Sequence, residues 1–256
     1  MKLTLTVSPD FSPEKLAGWH IFNTWLQRKL DVDCHLEMFG SFAEQRAAIA
    51  ADKIDLIYAN PYDAAMLVRE KGFVAVSHPM GLPDEAVVAV AANSSCQSVE
   101  DLKPGIKVVS SGDPDVSMMG MILLEPADLN AGNVTSETCS SYVLVAKQLM
   151  TGTADVGIFP ARAYDGLSSM VRNSLRPLVR SEISVIRHML LAGPNAAPLV
   201  PQLRTALTEM ASVDKDAAIL KDLGFSGWEA SSQEDVDSGA QKQLVHQLQV
   251  KSVYSL

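Results

Sequence analysis

Two segments a hundred residues apart follow one plan, and that plan constrains the fold more than any other feature of the chain. In the first, Ser41-Phe42 opens "SFAEQRAAIAA", Asp55 begins "DLIY", and Pro61 follows. In the second, Ser141-Tyr142 opens "SSYVLVAKQLMTG", Asp155 begins "DVGIF", and Pro160 follows. A serine just before an apolar-periodic run is a helix N-cap, and Ser41 with Glu44 has capping-box spacing. A short apolar run bounded by turn signals is a buried strand, and a proline fits the first turn of the helix after it. Each segment therefore reads helix, strand, helix. The repetition predicts two similar α/β lobes in one chain. Two lobes imply a cleft, and open α/β sheets take ligands at the carboxyl ends of their strands.

The rest of the chain alternates in the same way. "LTLTV" is a strand, and Ser12-Pro13 opens a helix with its stripe at Leu16, Trp19, Phe22, Leu26 and Leu30. "CHLEMF" is a strand, and "NPYDAAMLVREKG" is a helix capped by Asn60 and stopped by Gly72. "FVAVSHP", "AVVAVAA" and "IKVVSS" are strands, "SVEDL" begins a short helix, and "GDPDVSMMGMILL" is a loop feeding a helix. "PARAYDGLSSMV" reads as one helix. Beyond "HMLLAG" the chain turns helical through "PLVPQLRTALTEMA", "KDAAILKDLG" and the polar stretch "SQEDVDSGAQKQLVHQLQ".

Composition excludes several classes. A net charge of −9 and a pI near 5.0 argue against a nucleic-acid surface, which needs clustered Lys and Arg. No apolar run approaches the roughly 18 residues of a membrane span, so no membrane insertion is expected. The start, "MKLTLTVSPD", alternates like a strand and lacks the apolar core of a signal peptide. The protein is then periplasmic if a signal was removed, and otherwise cytoplasmic. Cys34, Cys96 and Cys139 are widely spaced without a CxxC pair. One disulfide with a free thiol is open, and three buried free thiols is the preferred reading. A monomer is expected.

Catalytic signatures are absent: there is no GxSxG, HExxH, GxxxxGKS/T or GxGxxG. The five histidines have no metal-ligand spacing, and adjacent Cys34 and His35 point to opposite faces of a strand. Met118, Met119 and Met121 read as core filling rather than a soft-metal cluster. No catalytic residue, metal or cofactor is expected. What remains is a set of helix starts near Ser12, Ser41, Asn60, Ser117 and Ser141, whose N–H groups and partial positive charge suit an anion. At any one of them a plain cap is the competing reading. Phe42 and Tyr142 either clamp a ligand from the two lobes or pack at the core edge. Arg187 sits in an apolar strand pattern, "SVIRHMLLA", as a surface residue of an edge strand or as a cation for an anionic ligand.

At this point the chain resembles the phosphate/phosphite/phosphonate-binding proteins of ABC importers, a branch of the type II periplasmic binding proteins. The residues that carry the resemblance are "SPDFSPEKL", "FGSFAEQRAAI", "KIDLIYANPYDAA", "SVEDLKPGIKVVSSGDPD", "GTADVGI" and "LKDLGFSGWEASS", in the family's order over nearly the whole chain. The resemblance implies an α/β fold of two lobes with central mixed sheets joined by a two-stranded hinge. Lobe 1 would hold residues 1–85 plus 190–256 and lobe 2 residues 86–189. Crossings would fall near Leu82–Ala86 and Ile183–Met189, with closure around the ligand.

The family's cleft aromatic before the second helix falls on Phe42. Its strand-end aromatic-Gly-Pro falls on Ala59-Asn60-Pro61. Its Asp-Pro loop with a run of hydroxyls falls on Asp113-Pro114-Asp115-Val116-Ser117-Met118, where only Ser117 keeps a hydroxyl in that run. The family's cleft histidine falls on Tyr142, and an acid that meets a ligand amine in some members falls on Arg187. These departures imply a kept scaffold and a changed ligand: a smaller oxyanion, or an organic carboxylate with an apolar part. The ligand-binding set expected is Phe11, Ser41, Phe42, Asn60, Tyr62, Ser117, Met118, Ser141, Tyr142 and Arg187. The expected function is capture of a small anionic ligand for an ABC permease or a membrane sensor. The alternative is a cytoplasmic enzyme of cofactor or menaquinone biosynthesis type on the same scaffold, a type that also resembles this fold.

Overall fold

A computed structural model describes residues 2–11, 13–182, 186–232 and 235–236. The chain runs β1 (Lys2–Val7), α1 (Leu16–Leu30), β2 (Asp33–Glu37), α2 (Phe42–Ala50), β3 (Leu56–Ala59), α3 (Pro61–Lys71), β4 (Val74–Pro79), β5 (Ala86–Ala91), β6 (Lys107–Ser110) and α4 (Pro114–Leu123). It continues through β7 (Thr135–Thr138), α5 (Tyr142–Met150), β8 (Val156–Pro160), α6 (Ala161–Asp165), α7 (Ser169–Asn173), β9 (Leu175–Arg180), β10 (Met189–Ala192), α8 (Val200–Glu209), α9 (Asp214–Leu223) and β11 (Trp228–Ala230). It divides into two compact units. Unit 1 holds residues 2–83 and the described residues from Arg187 onward; unit 2 is Asp84–Ile186. Among the described residues the chain passes from one to the other twice, between β4 and β5 and between β9 and β10.

Unit 1 is built on a six-stranded mixed sheet of order β11-β4-β10-β3-β1-β2. β1 pairs parallel with β2 and β3, while β10 runs antiparallel between β3 and β4. The alternation of a strand decides which layer each residue feeds. Leu56 and Tyr58 of β3 enter a core with Trp19, Phe22 and Leu26 of α1. Ile57 and Ala59 enter the opposite core with Ile49 of α2 and Leu67 of α3. Each large side chain buried there contributes about 1.5–3 kcal/mol. Tyr58 is therefore packing, as its alternation predicts.

Unit 2 repeats the design on a five-stranded mixed sheet, β7-β6-β8-β5-β9. Val88 and Val90 face α4, and Val87 and Ala89 face α5. The repeat seen in the sequence holds at the serine caps and the strand-opening aspartates but not at the prolines, since Pro61 is the first residue of α3 whereas Pro160 ends β8 and is the N-cap of α6. Ser41 and Ser141 cap nine-residue helices through Glu44 N–H and Leu144 N–H. Both helices are followed by a left-handed residue, Asp52 at φ 53° and Gly152 at φ 70°. Asp55 N–H then donates to Thr4 O, and the Asp55 carboxylate accepts Thr4 N–H at 2.8 Å. Asp155 does the same with Lys107, N–H to O at 3.0 Å and carboxylate from N–H at 2.8 Å.

Several expectations are corrected. "PARAYDGLSSMV" forms two short helices, α6 and α7, because the chain leaves the helix at Gly166 and Ser168 caps a new one. The helix expected to start near Ser117 starts at Pro114, where the Asp113 carboxylate accepts Asp115 N–H and Val116 N–H and proline fits the first turn. Arg187 lies before β10 rather than within it, since pairing with β3 begins at Met189. Strands β7, β9 and β11 were not foreseen. Cys96 is half-buried, not buried. All three cysteines are free; burial pushes the Cys34 thiol up to about 12 and raises Cys139 as well. The Ser12 cap, the 183–185 part of the second crossing and nearly all of the last polar stretch lie outside the described residues. No helix among the described residues is long and apolar enough to cross a membrane.

Candidate ligand-binding site

A helix that follows a parallel strand must start at that strand's carboxyl end. In unit 1 this places the starts of α2 and α3 at the ends of β2 and β3. Beneath them lies a network of buried polar side chains. Gln45 Nε2 donates to Val7 O at 2.8 Å and Thr6 Oγ1 at 3.1 Å. Asn60 Oδ1 accepts Asp63 N–H at 2.8 Å, and its Nδ2 donates to Asp63 Oδ2 at 2.9 Å and Ser8 Oγ at 3.3 Å. Asn60 is fully buried, so its amide is spent inside the unit. It sets the start of α3 and does not reach outward as a ligand contact.

Phe42 and Tyr62 are brought together by a residue that sequence reasoning missed. The Arg46 guanidinium lies 5.7 Å from the Phe42 ring centroid and 5.4 Å from that of Tyr62. Its Nε donates to Asp63 Oδ1 at 2.8 Å. Tyr62 is half exposed, while Phe42 is partly covered. The available signal was the i, i+4 spacing from Phe42 to Arg46 on one helix face. Phe11 packs against the α1-side core instead of joining this group. Next to Arg187, His188 Nε2 lies 2.8 Å from Asp10 Oδ2, and its ring stacks on Tyr58 at 5.3 Å.

In unit 2 the starts of α4 and α5 fall at the carboxyl ends of β6 and β7. The two helix starts differ in charge. The Asp113 carboxylate already occupies the positive end of α4, which weakens it as an anion site. The α5 start is capped by neutral Ser141 and carries no acid in its first turn, where Tyr142, Val143 and Leu144 stand. Tyr142 O–H points to Asp113 Oδ2 at 3.4 Å, which brings Tyr142 towards the start of α4. Ser117 and Ser110 share a hydroxyl hydrogen bond at 3.0 Å. Of the three methionines, Met119 is core, Met121 packs against it, and Met118 is half-buried.

A cavity of about 560 Å³ also lies in unit 2, but beside Ile106 and Asp155, at the amino ends of β6 and β8 and away from the helix starts. Its acids are engaged in local structure. Asp155 holds Lys107 N–H, and Asp101 accepts from Gln97 N–H and Ser98 N–H, which hold its carboxyl below the usual range. Among the described residues no group of His, Cys, Asp and Glu is arranged to hold a metal ion.

No curated protein matches this chain at a significant level. Solved structures match its fold across nearly its whole length. PhnD1 from Prochlorococcus marinus, in complex with methylphosphonate, superposes with a TM-score of 0.80 at 11% identity, over 94% of this chain and 96% of that one. A binding protein component of an ABC phosphonate transporter from Pseudomonas aeruginosa gives 0.77 at 14% identity, over 98% and 87%. The periplasmic aliphatic sulphonate binding protein SsuA from Escherichia coli gives 0.66 at 15% identity, over 95% and 91%. At these identities the likeness establishes the type II periplasmic-binding-protein fold. Family membership rests on the sequence itself, because the profile described as "ABC transporter, phosphonate, periplasmic substrate-binding protein" matches residues 5–236. Residues 5–236 thus place the chain in the family of periplasmic substrate-binding proteins of ABC phosphonate transporters.

Proposed function

We propose that this protein captures a small organic oxyanion, phosphonate-like or a small carboxylate with an apolar part, and delivers it to an ABC permease. Periplasmic residence is part of the same reading, as is an interlobe cleft as the place of capture; both rest on the family. One observation carries the choice of ligand. The repeated helices α2 and α5 each begin with an uncharged serine cap followed by an aromatic ring, Phe42 or Tyr142. At α5, which has no acid in its first turn, serine leaves the partial positive charge of the helix start for an incoming anion, whereas Glu44 in the first turn of α2 weakens that start; both rings offer an apolar wall. Ser41, Phe42, Tyr62, Ser117, Met118, Ser141, Tyr142 and Arg187 remain the proposed ligand-facing set. Val116 and Met118 stand where relatives present hydroxyls, so a polar phosphonate such as one bearing an amine is a poor fit. The family match favours capture over the enzyme alternative.

A thermal-shift screen of the purified protein tests this. The panel is inorganic phosphate, methylphosphonate, phenylphosphonate, ethanesulfonate, acetate and benzoate. A ligand at a hundred times its Kd adds about 2.7 kcal/mol to the folded state, enough to raise the melting temperature by several degrees. The expected result is a saturable shift with at least one organic oxyanion and none with the matching neutral amide. If no anion of the panel shifts the transition, the proposal fails.

A further inference from the structure

We infer that Arg46 is a positioning residue: it fixes the Phe42 and Tyr62 rings as one apolar wall in unit 1, and so sets how strongly an anion with an apolar body is preferred over a bare one. The inference rests on the capture reading above and concerns the body of the ligand, not its charge. The arrangement starts from a buried acid. The Asp63 side chain is only 1% exposed, and a carboxylate so enclosed must be paired and hydrogen-bonded. Asn60 Nδ2 donates to its Oδ2 at 2.9 Å, and Arg46 Nε donates to its Oδ1 at 2.8 Å. Asn60 also accepts Asp63 N–H and so caps α3. Arg46 stands on α2, so this chain of bonds ties α2 to the first turn of α3.

The Arg46 side chain is 38% exposed, but its Nη2 is buried. The guanidinium therefore serves as a packing surface, and what it packs against is two rings. Phe42 is the first residue of α2 and Tyr62 the second of α3, and Tyr62 is 51% exposed. An exposed ring that nothing holds loses rotamer freedom when a ligand settles on it, and that loss is subtracted from affinity. The guanidinium lies 5.7 Å from the Phe42 centroid and 5.4 Å from that of Tyr62, close enough for one flat cation to attract both rings. Ordering the rings beforehand removes the loss. Lysine would keep the pairing with Asp63 but has no plane to lay on a ring. In the repeat frame Ala146 stands at this place in α5, and an alanine cannot make the tie.

Isothermal titration with three matched pairs tests the assignment: phenylphosphonate against methylphosphonate, benzoate against acetate, and benzenesulfonate against ethanesulfonate. Wild type is expected to favour the phenyl-bearing member of the pair it binds. Arg46→Lys and Arg46→Gln are each expected to lower that preference about threefold to tenfold, the scale of one or two cation–ring contacts. Arg46→Lys keeps a cation beside buried Asp63, so the test stands even if Arg46→Gln fails to fold, and ligand-free melting shows which variants are folded. A merely structural loss would weaken both members of a pair alike and would persist without the rings. In a Phe42→Leu/Tyr62→Leu background Arg46→Lys is instead expected to leave the preference where the ring changes put it. If wild type binds both members of a pair equally, if Arg46→Lys keeps the wild-type preference, or if the same loss appears in the leucine background, the Arg46 assignment is overturned while the capture reading stands. If wild type binds none of the six, both fall together.

Discussion

Asp55 and Asp155 perform one task in two places, and their surroundings predict different costs for losing it. Each stands just before a parallel strand and accepts the N–H of the neighbouring strand's residue, Thr4 or Lys107, where the ladder has not yet begun. Asp55 is the more enclosed of the two, and its other oxygen accepts Asn195 Nδ2 at 3.1 Å. Asp55→Ala leaves Thr4 N–H partly buried without an acceptor and should cost about 1–3 kcal/mol. Asp155→Ala exposes Lys107 N–H to water and should cost under about 1 kcal/mol. Urea unfolding of the two variants checks the order; an equal loss would show that enclosure is not what distinguishes them. The two aspartates were legible in the sequence because a repeat draws attention to identical residues at identical spacing. Arg46 was not, because its counterpart in the repeat frame, Ala146, is no echo of it: Gln45 and Arg46 align with Val145 and Ala146. A residue that belongs to only one copy leaves no trace in the comparison of the two.

At the scale of elements, what was legible had strong periodicity or strong punctuation. α1, α2, α3, α5, α8 and α9 all carry an apolar stripe, a cap or a glycine stop, and Gly72 ends α3 at φ 70° as its position foretold. The missed strands have physical excuses. β7, "TSET", is an exposed edge strand with no buried face to create alternation. β9, "LRPLVR", carries Pro177, tolerated because β9 is the edge beyond β5 and the pairing shifts register between Val88 and Ala89. α4 starts three residues before Ser117 because Asp113, not that serine, supplies its cap. That same helix gives a sharp test. A Cβ on Gly120 would stand 2.3 Å from Ile158 Cγ2 in the unit 2 core. Alanine in a helix normally gains about 1 kcal/mol over glycine, but overpacking of this kind costs about 1–3 kcal/mol. Gly120→Ala should therefore destabilise the protein, against helix propensity. Adding Ile158→Ala should recover part of the loss, so that the double variant is more stable than the sum of the single changes predicts.

For the whole molecule, the contrast that matters is between a continuous and a discontinuous unit. Among the described residues unit 2 is one uninterrupted segment, Asp84–Ile186, with its own five-stranded sheet and a core on each face. About a hundred residues with two covered sheet faces can bury enough apolar surface to fold alone. Unit 1 cannot be cut so simply. Its first stretch supplies β1 to β4, but β10 stands between β3 and β4, and α8, α9 and β11 come from the same returning segment. Without it, β3 and β4 lose the strand that joins them, and Trp19 and Phe22 lose Leu203, Leu220 and Trp228 from their core. An isolated 84–186 fragment should give a single cooperative thermal transition with α/β circular dichroism. An isolated 1–83 fragment should show none, and mixing it with a 187–256 fragment should restore one. Failure of the 84–186 fragment to unfold cooperatively would mean that unit 2 depends on the rest of the chain for its stability.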